Sequence, residues 1–311
     1  MPIYNGAKFI DTTLKTVLDQ TYKDWEAVII DGGSTDNSIE LLGEYVKKYP
    51  NIHVFPEKCV SAYQAIWEGI KRAQGEFIYI LCFSDGYLTN EWYAKCMELM
   101  EHDPELSLVW GIPFDLFEDP TDPTKEVLRP HYIFSHFLAD KSQRSSESVV
   151  KRVLGRIKLT DPKSIARFFK KLNRSNITAA SRLMKNQTLP IKQQWFEYWL
   201  ETGTIFPDAN MCVARNVLLG CMPSYKGGTD VGNWEELFFN IHSRGYLTQC
   251  IPIPANFGRL NRGQLSEVFS EYNDNNRVTY FKKLEEFRKS IKKGQENFSF
   301  RDRAGNPINK Q

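Results

Sequence analysis

Nowhere in the 311 residues is there a run of 18 apolar residues, so no segment has the length of a membrane-spanning helix. The opening residues carry no basic stretch followed by an apolar core, and so do not read as a secretory leader. Six cysteines, at 59, 82, 96, 212, 221 and 250, form no C-x-x-C pair. Several lie in apolar runs, and reduced, buried thiols in a cytoplasmic setting are the expectation. Triplets such as Asn176-Ile177-Thr178 then say nothing about glycosylation. Charge of one sign is also scarce overall: the net of +2 is too small to draw nucleic acid to the whole chain. No G-x-G-x-x-G, G-x-x-x-x-G-K-[ST] or H-E-x-x-H occurs, which removes the commonest dinucleotide, P-loop and zinc-protease signatures.

What the chain does have starts at Glu26-Ala27-Val28-Ile29-Ile30, short, apolar and partly β-branched, which predicts a buried strand. The next residues, Asp31-Gly32-Gly33-Ser34-Thr35-Asp36, bring two glycines for a sharp turn and two carboxylates. Leu41, Leu42 and Tyr45 follow at helical spacing, with Lys47 and Lys48 in the last turn, and Asp36 is placed to cap that helix. In open α/β sheets, a strand, turn and helix of this kind present a ligand crevice at the carboxyl ends of the strands. A capped turn with no ligand has the same appearance.

Strands and helices alternate through the first third. Met1-Pro2-Ile3-Tyr4-Asn5-Gly6 reads as a loop, and Phe9, Ile10, Leu14, Val17 and Leu18 give a first amphipathic helix. Ile52–Phe55 predicts a strand, 60–73 a helix, and 76–83 a longer buried strand ending at Ser84-Asp85-Gly86. A helix over 90–102 and a strand over 106–110 complete the alternation, which predicts an α/β domain with a mostly parallel sheet.

At Asp85 a set of motifs is complete. Pro2-x-Tyr4-Asn5-Gly6, Leu18-x-Gln20-Thr21-Tyr22, the turn Asp31 to Asp36, Gly69-Ile70-x-x-Ala73-x-Gly75-Glu76 and Asp85 occur in that order. Together they resemble the nucleotide-binding half of the family 2 glycosyltransferases. The likeness is strong over residues 1–110 and looser downstream, at Phe206-Pro207-Asp208, Trp234-Glu235-Glu236-Leu237 and Arg244-Gly245-Tyr246. The resemblance implies a GT-A-like α/β fold and an inverting transfer of sugar from a nucleotide-sugar donor to a hydroxyl. The acceptor would be a glycan or lipid-linked, in glycan or cell-surface polysaccharide synthesis, with Mn²⁺ or Mg²⁺ as cofactor. On matched positions, Pro2, Tyr4, Asn5, Asp31, Gly33, Ser34, Asp36, Gln64, Ser84 and Asp85 would bind the donor, and Asp85 the metal.

The chemistry agrees with these assignments. Asp31 and Asp36 can accept hydrogen bonds from a base or ribose, and a carboxylate at the end of strand 76–83 can hold a hard cation against a diphosphate. The family usually carries two or three acidic residues there. In this chain Ser84 precedes Asp85, and Trp67 stands beside Gln64 where relatives often have Asn or Arg. A metal would then be completed by the diphosphate, water and another side chain. The same departures leave open a relative that binds a nucleotide or glycan without turning it over, or a truncated product.

The expected organisation is a donor half over 1–110, an acceptor half over 111–265 with a basic helical insert at 137–205, and a C-terminal helix and polar tail over 266–311. Residues 111–136, with prolines at 113, 120, 123 and 130, read as a turn-rich link. Residues 137–175 hold eleven Lys or Arg against three Asp or Glu, a local charge of +8 that leaves the remainder at −6. Ile165, Phe168, Phe169 and Leu172 form an apolar stripe within it, so the segment is either a solvated amphipathic helix or one that docks at an anionic membrane, peripheral to its inner face. The aromatic cluster from Trp195 to Leu200 reads mostly as core.

Trp234, Leu237, Phe238 and Ile241 form a helical stripe that Glu235 flanks and from which Glu236 points away. Glu235 is therefore the expected base, with Asp230 and Glu236 as the other carboxylates in reach. Residues 249–253 predict a last short strand, followed by a loop with Arg259, Asn261 and Gln264. A charged helix from about 276 and a loose tail from 293 end the chain. Relatives enter Pro2-x-Tyr4-Asn5 from a buried central strand. An apolar, β-branched run is thus expected ahead of Met1, without which the sheet would have a gap at its centre.

Overall fold

In the computed structural model the described residues are 1–59, 61–119, 122–130, 192–203, 210–223, 233–260, 270–293 and 298–308. In chain order they form β1 (Pro2–Ile3), a 3₁₀ turn (Ala7–Phe9), α1 (Ile10–Leu18), β2 (Ala27–Asp31), α2 (Ser38–Lys48), β3 (Ile52–Pro56), α3 (Ala62–Arg72), β4 (Phe77–Tyr79) and β5 (Gly86–Tyr87). Next come α4 (Trp92–His102), β6 (Leu106–Asp119), β7 (Asp122–Pro130), α5 (Gln193–Thr202), β8 (Met211–Ala214), α6 (Arg215–Cys221), α7 (Asn233–Ser243), β9 (Leu247–Leu260) and α8 (Ser270–Lys292).

Two sheets result. The first is wholly parallel in the order β1-β2-β3, with Pro2 opposite Ile30 and Ala27 opposite Ile52. All five residues of β2 are buried, as a strand covered on both faces must be. The second is mixed, in the order β4-β8-β6-β9-β5, with β7 paired to β6. Within it only β6 and β9 run parallel. The predominantly parallel sheet predicted from the alternation is therefore the first one alone.

Several boundaries differ from the sequence reading. Pro2–Ile3, read as loop, pairs with β2, because even two residues can continue a ladder whose partner is fixed by burial. The strand expected over 76–83 is regular only at Phe77–Tyr79. The link expected over 111–136 is, through Pro130, two arms of a hairpin, Phe114 facing Pro130 and Glu118 facing Glu126. β6 thus runs without a break across the boundary drawn at 110. The short strand at 249–253 is part of a 14-residue β9 that carries Arg259, which therefore lies on a strand and not in a loop. Prolines misled here. Pro113 and Pro254 fall at register shifts of the β6–β9 ladder, where a missing N–H leaves no partner unsatisfied.

The main core joins the second sheet to α3, α4, α5 and α7. Leu237, Phe238 and Ile241 of α7 are fully buried, as the helical stripe predicts. The aromatic cluster of α5 is core: Trp195, Phe196 and Trp199 are all buried. Burial contributes about 1.5–3 kcal/mol for each such side chain. Trp195 donates its indole N–H to His242 Nε2 at 3.2 Å, so Nδ1 carries the proton and donates to Phe238 O at 2.8 Å. Burial holds this imidazole neutral, down to about 4. His242 is a structural residue, stacked on Trp199.

The C-terminal helix begins at Ser270, six residues before the expected start, and buries Tyr280, Leu284 and Phe287. Residues 298–308, expected to be loose, are packed. Phe298 stacks on Phe196 at 4.8 Å between ring centres, and Arg303 donates to Met100 O at 2.6 Å. The mixed composition of the tail hid two aromatic anchors. The basic segment 137–175, the remainder of the insert to 191, and Asp208, Gly227–Asp230, Asn261 and Gln264 lie outside the described residues.

Candidate active site

The carboxyl ends of β1 and β2 are joined by a set of bonds that the sequence alone does not reveal. Asn5, at φ 49°, turns its Oδ1 to accept from Thr35 N at 2.7 Å and Asp36 N at 3.4 Å. Its own N–H donates to Ser34 Oγ at 2.9 Å, and Gly6 N–H donates to Ser38 Oγ at 3.1 Å. Asp36 accepts from Ala7 N at 3.1 Å and from Ser38 N at 3.0 Å. The cap position of α2 is Asn37, one residue later than expected; Asp36 still takes the first helical N–H and fastens the first loop to the second. The Ser38 hydroxyl foremost, and these backbone N–H groups after it, hold its carboxyl below the usual range.

Asp31 is 2% exposed. Its carboxylate accepts from Gly33 N and Ser34 N, each at 3.1 Å, closing the turn that Gly33 makes at φ 96°. Asp31 therefore shapes the turn from within, through local bonds to the residues two and three positions on. Tyr4 is 65% exposed, and its ring edge passes near Gly32. The first loop thus offers an open aromatic face beside two ordered carboxylates.

Asp85 stands in the turn between β4 and β5, immediately before β5. A turn bond from its N–H to Cys82 O at 3.1 Å precedes β5, and Thr13 Oγ1 donates to Asp85 O at 2.8 Å, tying α1 to the turn. Ser84 has φ 127°, a region that L residues rarely enter and that costs of order 1–3 kcal/mol. The pairing of Gly86 with Phe257 brings β9 alongside, and a Cβ on Gly86 would lie 2.7 Å from the Phe257 ring. Glycine there lets Asp85 Oδ1 accept from Arg259 N at 3.0 Å, while Ser84 Oγ donates to the same oxygen at 3.2 Å. The Arg259 guanidinium bonds Ser84 O at 3.2 Å, pairs with Glu126 and lies over the Phe9 ring at 5.4 Å. Burial lowers its pKa, and the charge of Asp85 opposes that shift. Residues 174 positions apart thus form one charged cluster.

The remaining predicted residues are more dispersed. Gln64 sits in the first turn of α3, where its N–H donates to the Ser61 cap at 3.1 Å. Trp67 is partly buried against the main core. Glu235 and Glu236 are both half-buried in the first turn of α7. Glu236 does point away from the apolar stripe, but toward α8, where Lys283 Nζ bonds it at 2.9 Å. Glu235 bears on Tyr280 of α8, whose hydroxyl is kept protonated by burial first and by the charge of Glu235 after it.

One candidate was missed. Asp115 on β6 pairs with Gly258, and its neighbour Leu116 pairs with Arg259. Phe114 and Leu116 are buried in the core, so Asp115 projects to the opposite face, and desolvation there raises its carboxyl to about 6. A carboxyl near 6 can exchange protons near neutrality. The alternation Phe114-Asp115-Leu116 was its signal, lost because the prolines around it read as a link.

Comparison with known proteins bears on this cluster. Among curated proteins, a poly(ribitol-phosphate) beta-glucosyltransferase of Bacillus spizizenii is 30% identical over 148 residues, 43% of this chain and 23% of that protein. A cholesterol galactosyltransferase of Borreliella burgdorferi is 36% identical over 75 residues, 24% of this chain and 21% of that one. The chain spans half or less of the length of such relatives. Among solved structures, the mannosyltransferase PcManGT of Pyrobaculum calidifontis, in complex with GDP-Man and Mn²⁺, aligns with a TM-score of 0.51 at 18% identity. That alignment covers 91% of this chain and 61% of the other, and it shows the GT-A-like α/β fold expected above. The model for Glycosyl transferase family 2 matches residues 1–156, the stretch that carries the Asn5–Asp36 loops, Asp85 and Asp115. With half the chain matched and that fold in place, the chain belongs to glycosyl transferase family 2.

Proposed function

We propose that this chain is a glycosyltransferase that moves a sugar from a nucleotide-sugar donor to a hydroxyl of a glycan or lipid-linked acceptor. The transfer inverts the anomeric carbon and serves glycan or cell-surface polysaccharide synthesis. The observation that carries this reading is a pair of bonded sets, Asn5 with Asp36 across the first two loops beside the exposed Tyr4, and Ser84 and Asp85 with Arg259, whose guanidinium lies over the Phe9 ring that follows the first loop. An exposed aromatic face for a base, ordered polar groups for a ribose and a charged cluster for a diphosphate are the parts such a donor needs. The names of the relatives, a poly(ribitol-phosphate) glucosyltransferase among them, support a surface-polymer acceptor.

A divalent cation belongs to this reading, and the residues fit one way of holding it. Among the described residues no group of three or more His, Cys, Asp or Glu could hold a metal ion, so a cage made by protein alone does not fit. One carboxylate together with substrate phosphate oxygens is a usual arrangement for Mg²⁺, and Asp85 with Ser84 supplies that carboxylate. When bound, Mn²⁺ or Mg²⁺ would screen the charge of the departing diphosphate. Arg259 adds a fixed positive charge on the same side. Glu235 accepts the proton of the acceptor hydroxyl, with Asp230 as reserve. The acceptor oxygen then bonds the anomeric carbon from the face opposite the diphosphate. The bond from that carbon to the diphosphate oxygen breaks, and its electron pair leaves with the diphosphate.

A panel of nucleotide sugars, tested by thermal shift with and without Mn²⁺ or Mg²⁺ and then for transfer, checks the reading. A donor at 100 times its Kd is expected to stabilise the fold by about 2.7 kcal/mol, with metal required. Binding with neither hydrolysis nor transfer would mark a non-catalytic relative instead.

No helix among the described residues is long and apolar enough to cross a membrane. The +8 stretch over 137–175 supports docking of the enzyme at an anionic leaflet, each cation contributing roughly 1 kcal/mol near such a surface. Co-sedimentation with anionic liposomes should fall with salt and weaken when Lys170, Lys171 and Arg174 become Gln. Equal recovery in the supernatant with neutral and anionic vesicles would leave that stretch an ordinary solvated face.

A further inference from the structure

Glu126 pairs with the Arg259 guanidinium but has no task in the chemistry above. The two side chains are 20% and 12% exposed, so the pair lies mostly out of water. With Asp85, whose charge also reaches Arg259, the cluster sums two carboxylates and one guanidinium, a net of −1. That sign repels a diphosphate. A site meant for one must gain cations or turn a carboxylate away.

The two partners of the pair are not held alike. Arg259 lies on β9, where Leu116 of β6 pairs with it. Its Nε donates to Ser84 O at 3.2 Å and its backbone N–H to Asp85 Oδ1 at 3.0 Å. Its guanidinium lies over the rings of Phe9 and Phe257, at 5.4 and 5.9 Å. Glu126 lies on β7, which among the described residues pairs with β6 alone, and its register partner Glu118 borders the irregular rung of that hairpin. The arginine is therefore the fixed partner, and the glutamate the one able to turn to water. Breaking such a pair without replacement strands a buried charge. Arg259 has to exchange one anion for another.

On the donor reading above, we propose that Glu126 is an internal competitor for Arg259. It holds the guanidinium between turnovers, yields it to the donor's diphosphate, and takes it back as the product diphosphate leaves. The donor wins on arrival because it brings more than one negative charge against the single charge of Glu126. Glu126 in turn speeds release, because a carboxylate tethered on β7 competes at an effective concentration that a free anion lacks. Ion pairs alone are exchanged, and no covalent bond changes.

The test uses the full chain as wild type, Glu126→Gln and Glu126→Asp. Binding of UDP, GDP, CDP and ADP is measured by titration with and without Mn²⁺, beside the matching phosphate-free nucleosides. Glu126→Gln keeps an oxygen for the guanidinium and removes the charge. It should melt lower than wild type without ligand, yet bind the preferred nucleoside diphosphate about tenfold tighter, with nucleoside affinity unchanged. Glu126→Asp keeps the charge one methylene farther back, so its affinity should fall between the two, and it carries the test if Glu126→Gln does not fold. In turnover, kcat and the donor KM should both fall in Glu126→Gln and product inhibition should deepen, as slower release requires. Unchanged or weaker diphosphate binding would overturn the competitor role and leave Glu126 a clamp between hairpin and turn. Equal tightening for the nucleoside would overturn it as well, and so would loss of the Mn²⁺-dependent part of binding, which would make Glu126 a metal ligand. A wild type that binds none of the four diphosphates would overturn the donor reading itself.

Discussion

Asp85→Asn is expected to reduce kcat/KM for sugar transfer by about 100-fold or more while the protein stays folded. Asparagine keeps an oxygen where Oδ1 accepts from Arg259 N and Ser84 Oγ, so the junction of the 82–86 turn with β9 survives. What is lost is one negative charge. In the proposed chemistry that charge is the protein's share of the metal's ligands, and removing it takes several kcal/mol of transition-state stabilisation, at 1.36 kcal/mol per tenfold in rate. Metal-dependent donor binding should disappear along with turnover. Arg259 makes the variant informative. In Asp85→Asn the guanidinium still has Glu126 and Ser84 O, so any residual metal-independent donor binding reports on Arg259. Unchanged turnover in Asp85→Asn would remove Asp85 from the mechanism.

Glu235→Gln should abolish transfer, by 100-fold or more if it is the general base, and leave donor affinity as it was, because the carboxylate acts on the acceptor. Glu236→Gln should lose an ion pair with Lys283 in which both partners are about a third exposed, 32% and 40%. Such a pair contributes about 0.2–1 kcal/mol of stability, and its loss should leave kcat close to wild type. The acid limb of the pH profile distinguishes the rival carboxylate. Asp115 carries a pKa raised to about 6 by burial. If it were the base, activity would fall as pH drops through 6, and Asp115→Asn would be the inactive variant. Full transfer by Glu235→Gln together with loss in Asp115→Asn would move the base from α7 to β6.

Local pattern was enough for the elements whose burial repeats with their own period. β2, with its five buried residues, and α7, with its stripe at Leu237, Phe238 and Ile241, were both legible because periodicity and burial agree. The order of motifs from Pro2 to Asp85 was likewise legible, and it led to the family. Within the site, the sequence could name Asn5, Asp31, Asp36 and Asp85 but not their duties. Asp31 turns out to close its own turn, and Asp36 to bridge two loops.

Tertiary structure alone decided the rest, wherever the partner is remote in sequence. Prolines at 113 and 254 look like breaks until β6 and β9 are paired, when they fall at the irregular rungs that need no N–H. Phe298 and Phe300 look like part of a loose tail until Phe196 is set against them. Arg259 reaches Asp85 only because a side-chain-free Gly86 lets β9 approach. In each case a local signal is weak or misleading because the stabilising contact is supplied by a surface more than 80 residues away. The sequence by itself determined the periodic elements and the identity of the carboxylates; packing between distant strands determined that Asp85 meets Arg259.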